Sequence, residues 1–302
     1  MNRRRYVQAL GIGGALSLAG CSGDTGTAED IDAGADIVDE ELTLATATTT
    51  HDSGLLDALL PGFERTFGAS VKTVVRGTGG ALRTARNGDC DAVLVHARSL
   101  EDEFLREGHG INRRTVMVND FLIVGPPDDP AGIAGMGPVA ALRAIADEKA
   151  RFLSRGDRSG THVRERQLWR EAGIEPAGTW YSETGQGMGQ TLVMANEAGA
   201  YTLTDRGTFL TVSANQEGLV AHVDYGIAEP PPLLRNEYAV IPVNPARHDV
   251  AYPLGLSLVG YLTGPGQTHI REFRVAGERA FRPAGLHEEP NFRQYVPSDW
   301  RE

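Results

Sequence analysis

Apolar positions in this chain follow two alternating rhythms. Leu42-Thr43-Leu44-Ala45-Thr46 has the every-second-residue spacing of a strand, and Leu55, Leu56, Leu59, Leu60, Phe63 and Phe67 then recur at helical spacing. The pattern predicts strand, loop and helix, with Pro61 breaking or kinking the helix. Short apolar runs at 71–75 and 92–95 predict buried strands, and the stretch 77–87 between them predicts a glycine turn and a helix. The run 116–124 is the longest with strand character. Gly125-Pro126-Pro127-Asp128-Asp129-Pro130 follows it, a turn-rich segment where the chain is expected to cross into a second lobe. There the rhythm repeats: helix 137–150, strand 151–154, helix 159–172 capped by Ser159, helix 192–198 and strand 200–203. Pro230-Pro231-Pro232 closes that block before a strand at 238–243. The apolar stretch 250–262 and a last helix near 270–281 complete the pattern, the tail from Glu288 looks irregular, and no internal repeat is present. This is α/β alternation. It divides the chain into a first lobe of 42–125 that resumes at 237–302 with C-terminal helices, and a second lobe of 126–236.

The segment before residue 42 has a different character. Arg3, Arg4 and Arg5 precede an apolar, small-residue run from Ala9 to Ala19, about half the length that spans a bilayer as a helix. The twin arginines resemble the signal of the twin-arginine export route. Leu18-Ala19-Gly20-Cys21 resembles a lipobox, whose cysteine becomes the lipidated N-terminus. Residues 1–20 are expected to be removed. Residues 21–41 then form an acidic tether holding Asp24, Glu29, Asp30, Asp32, Asp36, Asp39, Glu40 and Glu41 and no basic residue. The expected location is the outer face of the cytoplasmic membrane.

Charge narrows the partners. Lys+Arg is 29 against Asp+Glu at 40, a net charge of -11, which disfavours nucleic acid. Loss of Arg3, Arg4 and Arg5 with the signal lowers this to -11 - 3 = -14. Lysine occurs only at Lys72 and Lys149; with the acid excess, the arginine preference fits a salt-loving source. Two cysteines, Cys21 and Cys90, exclude a disulfide framework and a Cys-rich metal site. Cys90 reads as a small buried residue.

The candidate chemistry lies in turns rich in glycine and hydroxyl groups that follow predicted strands, where open α/β sheets leave their ligand crevices. They are Thr46 to Gly54, Arg76-Gly77-Thr78-Gly79-Gly80, Ser154 to His162 and Thr204-Asp205-Arg206-Gly207-Thr208. Each alone reads as ordinary turns and N-caps. Together, helix N-terminal N–H groups, Ser/Thr hydroxyls and arginine forks form a donor set for a small oxyanion.

These segments resemble the tungstate-binding lipoproteins that feed ABC-type oxyanion importers. The resemblance is carried by Leu44-Ala45-Thr46 through Asp52-Ser53-Gly54-Leu55-Leu56-Asp57, Val116 through Phe121, Ser154 through His162, Leu168-Trp169, Gly185-Gln186-Gly187-Met188-Gly189 and Leu203 through Thr208. It runs from about residue 42 to about residue 245. It implies a type II periplasmic-binding-protein fold, two α/β lobes with a hinge, closing on the ion in an interlobe cleft. It also implies a monomer that delivers its ion to an ABC permease and carries no cofactor. By the same matching Thr48, Thr49 and Thr78 would be ligand donors from the first lobe. Arg155 would be the main charge partner, Ser159, Gly160 and Thr161 the helix N-terminal donors, and Arg206 a second cation. The family's Thr-Thr-Thr-Ser motif falls on Thr46-Ala47-Thr48-Thr49, so Ala47 removes one hydroxyl. The ion is tungstate by resemblance, with molybdate, sulfate and phosphate as alternatives of the same geometry.

Other readings have less support. Asp157, Ser159 and His162 mimic parts of a nucleophilic triad, but the chain has no Gly-x-Ser-x-Gly elbow. Gly77-Thr78-Gly79-Gly80 lacks both the dinucleotide spacing and the Walker lysine. The eight histidines show no metal-ligand spacing and read as structural or solvated. Arg155-Gly156-Asp157 is the adhesive tripeptide, a match too short to outweigh its place in the oxyanion loop. Trp169, Trp180 and Tyr181 read as core or lobe-interface aromatics.

Overall fold

A strand followed by a helix is the recurring unit of this chain. A computed structural model describes residues 37–215, 218–286 and 292–300. The signal, Cys21 and most of the tether lie outside the described residues. The tether's last residues, however, are already part of the body: Asp39 N–H donates to Gly68 O, and strand β1 begins at Glu41.

In the first half, β1 (Glu41–Ala47) leads through α1 (Thr48–Asp52) and α2 (Leu55–Phe67) to β2 (Ser70–Arg76). Helix α3 (Thr78–Arg86), β3 (Ala92–Val95) and α4 (Arg98–Arg106) follow, then the long β4 (Arg114–Gly125). The second half contains α5 (Pro138–Asp147), β5 (Phe152–Ser154), α6 (Gly160–Ala172), β6 (Tyr181–Glu183), α7 (Met188–Ala198), β7 (Thr202–Asp205), α8 (Arg206–Ser213) and β8 (Val220–Val223). The chain returns through β9 (Arg235–Pro242), α9 (Tyr252–Thr263), α10 (Gly266–Glu272) and β10 (Arg282–Pro283), and ends in a short helical turn, Phe292–Gln294.

Two sheets share β4. Its first half pairs antiparallel with β9, from Arg114↔Val240 to Asp120↔Arg235, in the order β10-β4-β9-β3-β1-β2. From Phe121 onward it pairs with β7 and β8 instead, and a bridge between Phe152 and Tyr201 attaches the parallel pair β5–β6. The exchange of partners comes at Asp120/Phe121, ahead of the crossing expected at Gly125. In the first sheet β2, β1 and β3 are parallel, because helices return the chain between them.

The central strands β3 and β4 are buried on both faces, which is why apolar residues follow one another along them. Leu42 and Leu44 pack with Leu59, Phe63, Leu258 and Leu262, whereas Ala45 joins Leu82, Val93, Val95 and Phe104 on the other face. Beyond Asp120 the alternation continues: Phe121 and Ile123 pack with Phe152, Trp169 and Tyr201, and Leu122 and Val124 with Met188 and Leu192. Trp169 is fully buried there, with Trp180 and Tyr181 edge-on to it, so these aromatics belong to a core. Cys90 is a free buried thiol, and burial pushes its pKa up to about 12.

Four local expectations are corrected. Helix α2 runs unbroken through Pro61, because Pro61 and the Asp57 carbonyl that loses its donor lie on the exposed face, where water can bond it. The segment after β1 is a helical turn, α1, not a loop. Helix α4 departs from the apolar pattern because its buried positions include Glu101 and Asp102, which pair with Arg113, Arg98 and Ser298. The helix expected over 270–281 stops at Glu272. Phe273 is extended, and a tight turn joins Val275 to Glu278 through Ala276 and Gly277 at φ 49° and 85°.

Candidate oxyanion site

Strands β1, β2, β5, β6 and β7 each run directly or through a short loop into a helix, and the beginnings of α1, α3, α6, α7 and α8 meet at the junction of the two halves. Arg155, which follows β5, extends across it: its Nη2 donates to Thr48 Oγ1 at 3.3 Å. A Cβ placed on Gly77, the N-cap of α3, would stand 3.4 Å from Asp157 Oδ2 and 3.6 Å from Ser159 Cβ. At Gly160, the first residue of α6, a Cβ would come 2.6 Å from the His96 ring, so only glycine allows that approach without displacement.

The loop between β5 and α6 is organised by Asp157. Its carboxylate accepts from Arg155 Nη2 at 2.6 Å and from Ser159 N–H at 3.1 Å. Gly156 and Arg158 turn the chain with φ of 65° and 57°. Arg155 is 1 % exposed, and its Nε donates to Gln186 O just before α7. Ser159 caps α6 by accepting from His162 N–H at 3.2 Å, which leaves its own proton available.

Burial normally requires that every donor be matched. Here Thr50 Oγ1, Thr78 Oγ1, Thr161 Oγ1 and Arg155 Nη1 are all buried with no hydrogen-bond partner among the described residues. Thr50 and Thr78 come from the first half, Thr161 and Arg155 from the second. Each could donate to an anion, and free N–H groups at the first turns of α3 and α6 lie beside Thr78 and Thr161.

Some residues expected from the sequence occupy other positions. Arg206 opens α8, but its Nε and Nη2 donate to Asp120 at 2.7 and 2.8 Å, and Nη2 also pairs with Asp224. Burial alone would lower its pKa, but the two carboxylates raise it. Its charge is thus neutralised within the protein. Thr49 Oγ1 is bonded to His96 Nε2 at 3.1 Å and to the Tyr238 hydroxyl at 3.4 Å, so its hydroxyl is committed as well. Ala47 is the N-cap of α1 and is buried. Nothing in the local sequence singles out Thr50; the helical turn of α1 is what buries it.

Asp157, Ser159 and His162 are not connected as a triad. His162 Nδ1 accepts from Arg158 N–H, and Asp157 serves Arg155 and Ser159 N–H. Asp205, the N-cap of α8, accepts from Thr208 N–H and its hydroxyl, and burial pushes its pKa up to about 6.

A family model described as the PBP superfamily domain matches residues 25–265. A Haloferax volcanii protein provisionally named as an ABC transporter anion-binding protein is 52% identical over 99% of this chain and 91% of its own length. The tungstate-binding protein TupA of Peptoclostridium acidaminophilum is 44% identical over 78% of this chain and 80% of its own. Among solved structures, the tungstate ABC transporter protein from Geobacter sulfurreducens is 46% identical with a TM-score of 0.70, covering 77% of this chain and 98% of that one. The chain belongs to the PBP superfamily and, within it, to the family of these tungstate-binding proteins.

Proposed function

We propose that this chain captures tungstate between its two lobes and delivers it to the permease of an ABC importer. The observation that carries this reading is the set of buried donors without a partner among the described residues, contributed by both halves: Thr50, Thr78 and Thr161 in the first turns of helices and Arg155 in the loop after β5. A tetrahedral dianion offers acceptors in four directions, and such donors can replace its water shell. The relatives named for tungstate support the choice of ion. In this reading Thr48, Thr50, Thr78, Arg155, Ser159, Gly160 and Thr161 line the site, whereas Arg206 and Thr49 brace it.

Capture involves no covalent chemistry and no cofactor. One lobe is built on β1 to β3 with β9 to β10 and the first half of β4, and the other on β5 to β8 with the second half of β4, the two being joined through β4 and β9. Each contributes donors, so the ion makes its full contact set only on closure, and binding shifts the population toward the closed form. The body acts as a monomer, exported by the twin-arginine route and held by lipid on Cys21 at the outer face of the cytoplasmic membrane.

Isothermal titration of the mature chain with tungstate, molybdate, sulfate and phosphate in turn tests the reading. The expected result is one site per chain that takes tungstate. Absence of both heat and thermal stabilisation with all four ions would overturn it, since a ligand at 100 times its dissociation constant adds about 2.7 kcal/mol.

A further inference from the structure

His96 lies just beyond β3, is 5% exposed, and has both ring nitrogens engaged. Nδ1 is 2.9 Å from Asn236 Oδ1 and Nε2 is 3.1 Å from Thr49 Oγ1. The ring stacks on Tyr238 with centroids 4.7 Å apart, and Gly160 of α6 lies against it from the other lobe.

The direction of each proton can be followed from a fixed end. Ionised Asp205 only accepts, so Asn119 must present its Nδ2, 3.5 Å from Asp205 Oδ1. Asn119 Oδ1 then accepts from Asn236 Nδ2 at 2.7 Å, and this amide also donates to the Tyr238 hydroxyl. Asn236 is therefore left with its oxygen facing His96, whose Nδ1 must carry the proton. Nε2 becomes an acceptor, and its partner among the described residues is Thr49 Oγ1, which must supply the proton. Tyr238 in turn donates to Thr49 Oγ1. Asn119 and Asn236 face each other across β4 and β9, so the relay runs from the N-cap of α8, through the strands that join the lobes, to α1.

Resting on the oxyanion site proposed above, we propose that His96 is its positioning residue: neutral and protonated at Nδ1, it takes the Thr49 hydroxyl proton. In doing so it fixes the turn of α1 that presents Thr48 and Thr50, and its ring is the seat on which Gly160 closes. Thr49 is then an anchor, not an oxyanion donor, because a hydroxyl has one proton to give.

The groups facing the ring keep it neutral. Burial lowers its pKa to about 4; Arg155 from the β5–α6 loop and Arg164 from α6 add to this, while the hydrogen bond to Asn236 and the charge of Asp157 oppose it. Tyr238 is stacked on it from β9 and Asp205 stands at the far end of the relay, and the cavity that the ring helps to line also holds Arg98, Arg235 and Glu237. The tautomer should hold from about pH 7 to 8, where His96 is neutral and Asp205 is ionised.

Two measurements test this. In the wild-type protein, nitrogen-15 NMR at pH 7 should show His96 with a protonated Nδ1 and a bare Nε2. The reverse tautomer, or an imidazolium, would overturn the relay whether or not tungstate binds. In tungstate titrations His96→Phe should weaken affinity about tenfold or more, because it strands the Thr49 proton. His96→Gln, whose amide can donate to Asn236 and accept from Thr49, should recover most of that loss. Equal affinity for all three proteins, or Gln no better than Phe, would remove the positioning role. Failure of the wild type to bind any oxyanion would instead count against the proposed function.

Discussion

Arg155 Nη1 is the one charged donor in the buried, partnerless set at the junction, and Arg155→Ala should weaken tungstate binding at least about tenfold, since a hydrogen bond to a charged group contributes about 1.5 to 3 kcal/mol. Titration calorimetry on the folded variant checks this; an unchanged dissociation constant would take Arg155 out of the site. Arg206→Ala should do something else. Its removal leaves Asp120, which is fully buried, without its bidentate partner, a change that typically costs about 3 to 5 kcal/mol of stability. Chemical denaturation should show that loss, with less effect on tungstate affinity than Arg155→Ala has. In the sequence both arginines follow a strand and precede a helix, and nothing local separates them. What separates them is distant: Asp120 and Asp224 are 86 and 18 residues from Arg206.

Helix α6 shows two consequences of how a helix is seated. Its first residue, Gly160, meets His96 across the junction, so Gly160→Ala would press a methyl group against a buried ring. If the lobes close on the ion, that clash exists only in the closed form. Tungstate affinity should then fall more than about tenfold while the melting temperature without ligand changes little, because overpacking of a buried contact costs about 1 to 3 kcal/mol. Further along, Glu165 is buried and accepts from Trp169 Nε1 and the Tyr181 hydroxyl. Burial raises its pKa to about 7, against an ordinary 4.5. A carboxyl raised on folding favours the native state while protonated, so its contribution is full below pH 4.5 and is lost as pH rises through 7. Glu165→Gln keeps the acceptor without the charge. Its melting temperature relative to wild type should therefore rise between pH 5 and 8; a constant difference would show that Glu165 does not titrate there.

For the whole molecule, a net charge of -11 sets a salt dependence. Carboxylates spread over the surface repel one another, and the Debye length falls from about 10 Å at 0.1 M salt to about 3 Å at 1 M. The melting temperature should accordingly climb as potassium chloride is raised from 0.1 to 3 M, and thermal unfolding with the same buffer at each step checks it. The oxyanion site should be less sensitive, because its donors are buried and local. Much of this architecture was legible in the sequence, since strands buried on both faces need apolar residues at successive positions and helices need the 3.6-residue recurrence. Ser159 as a cap and the hydroxyl-rich turns after strands were equally legible, because capping and turn chemistry act over a few residues. The hidden features were those whose partners are far away in the chain. Glu101 and Asp102 made α4 look exposed until Arg113, Arg98 and Ser298 folded onto them. Thr49 and Thr50 are adjacent and chemically identical, and only His96 and Tyr238, brought in from β3 and β9, satisfy the first and leave the second without a partner among the described residues. A hydroxyl's role depends on where its proton goes, and that direction is set by contacts between residues the chain order keeps apart.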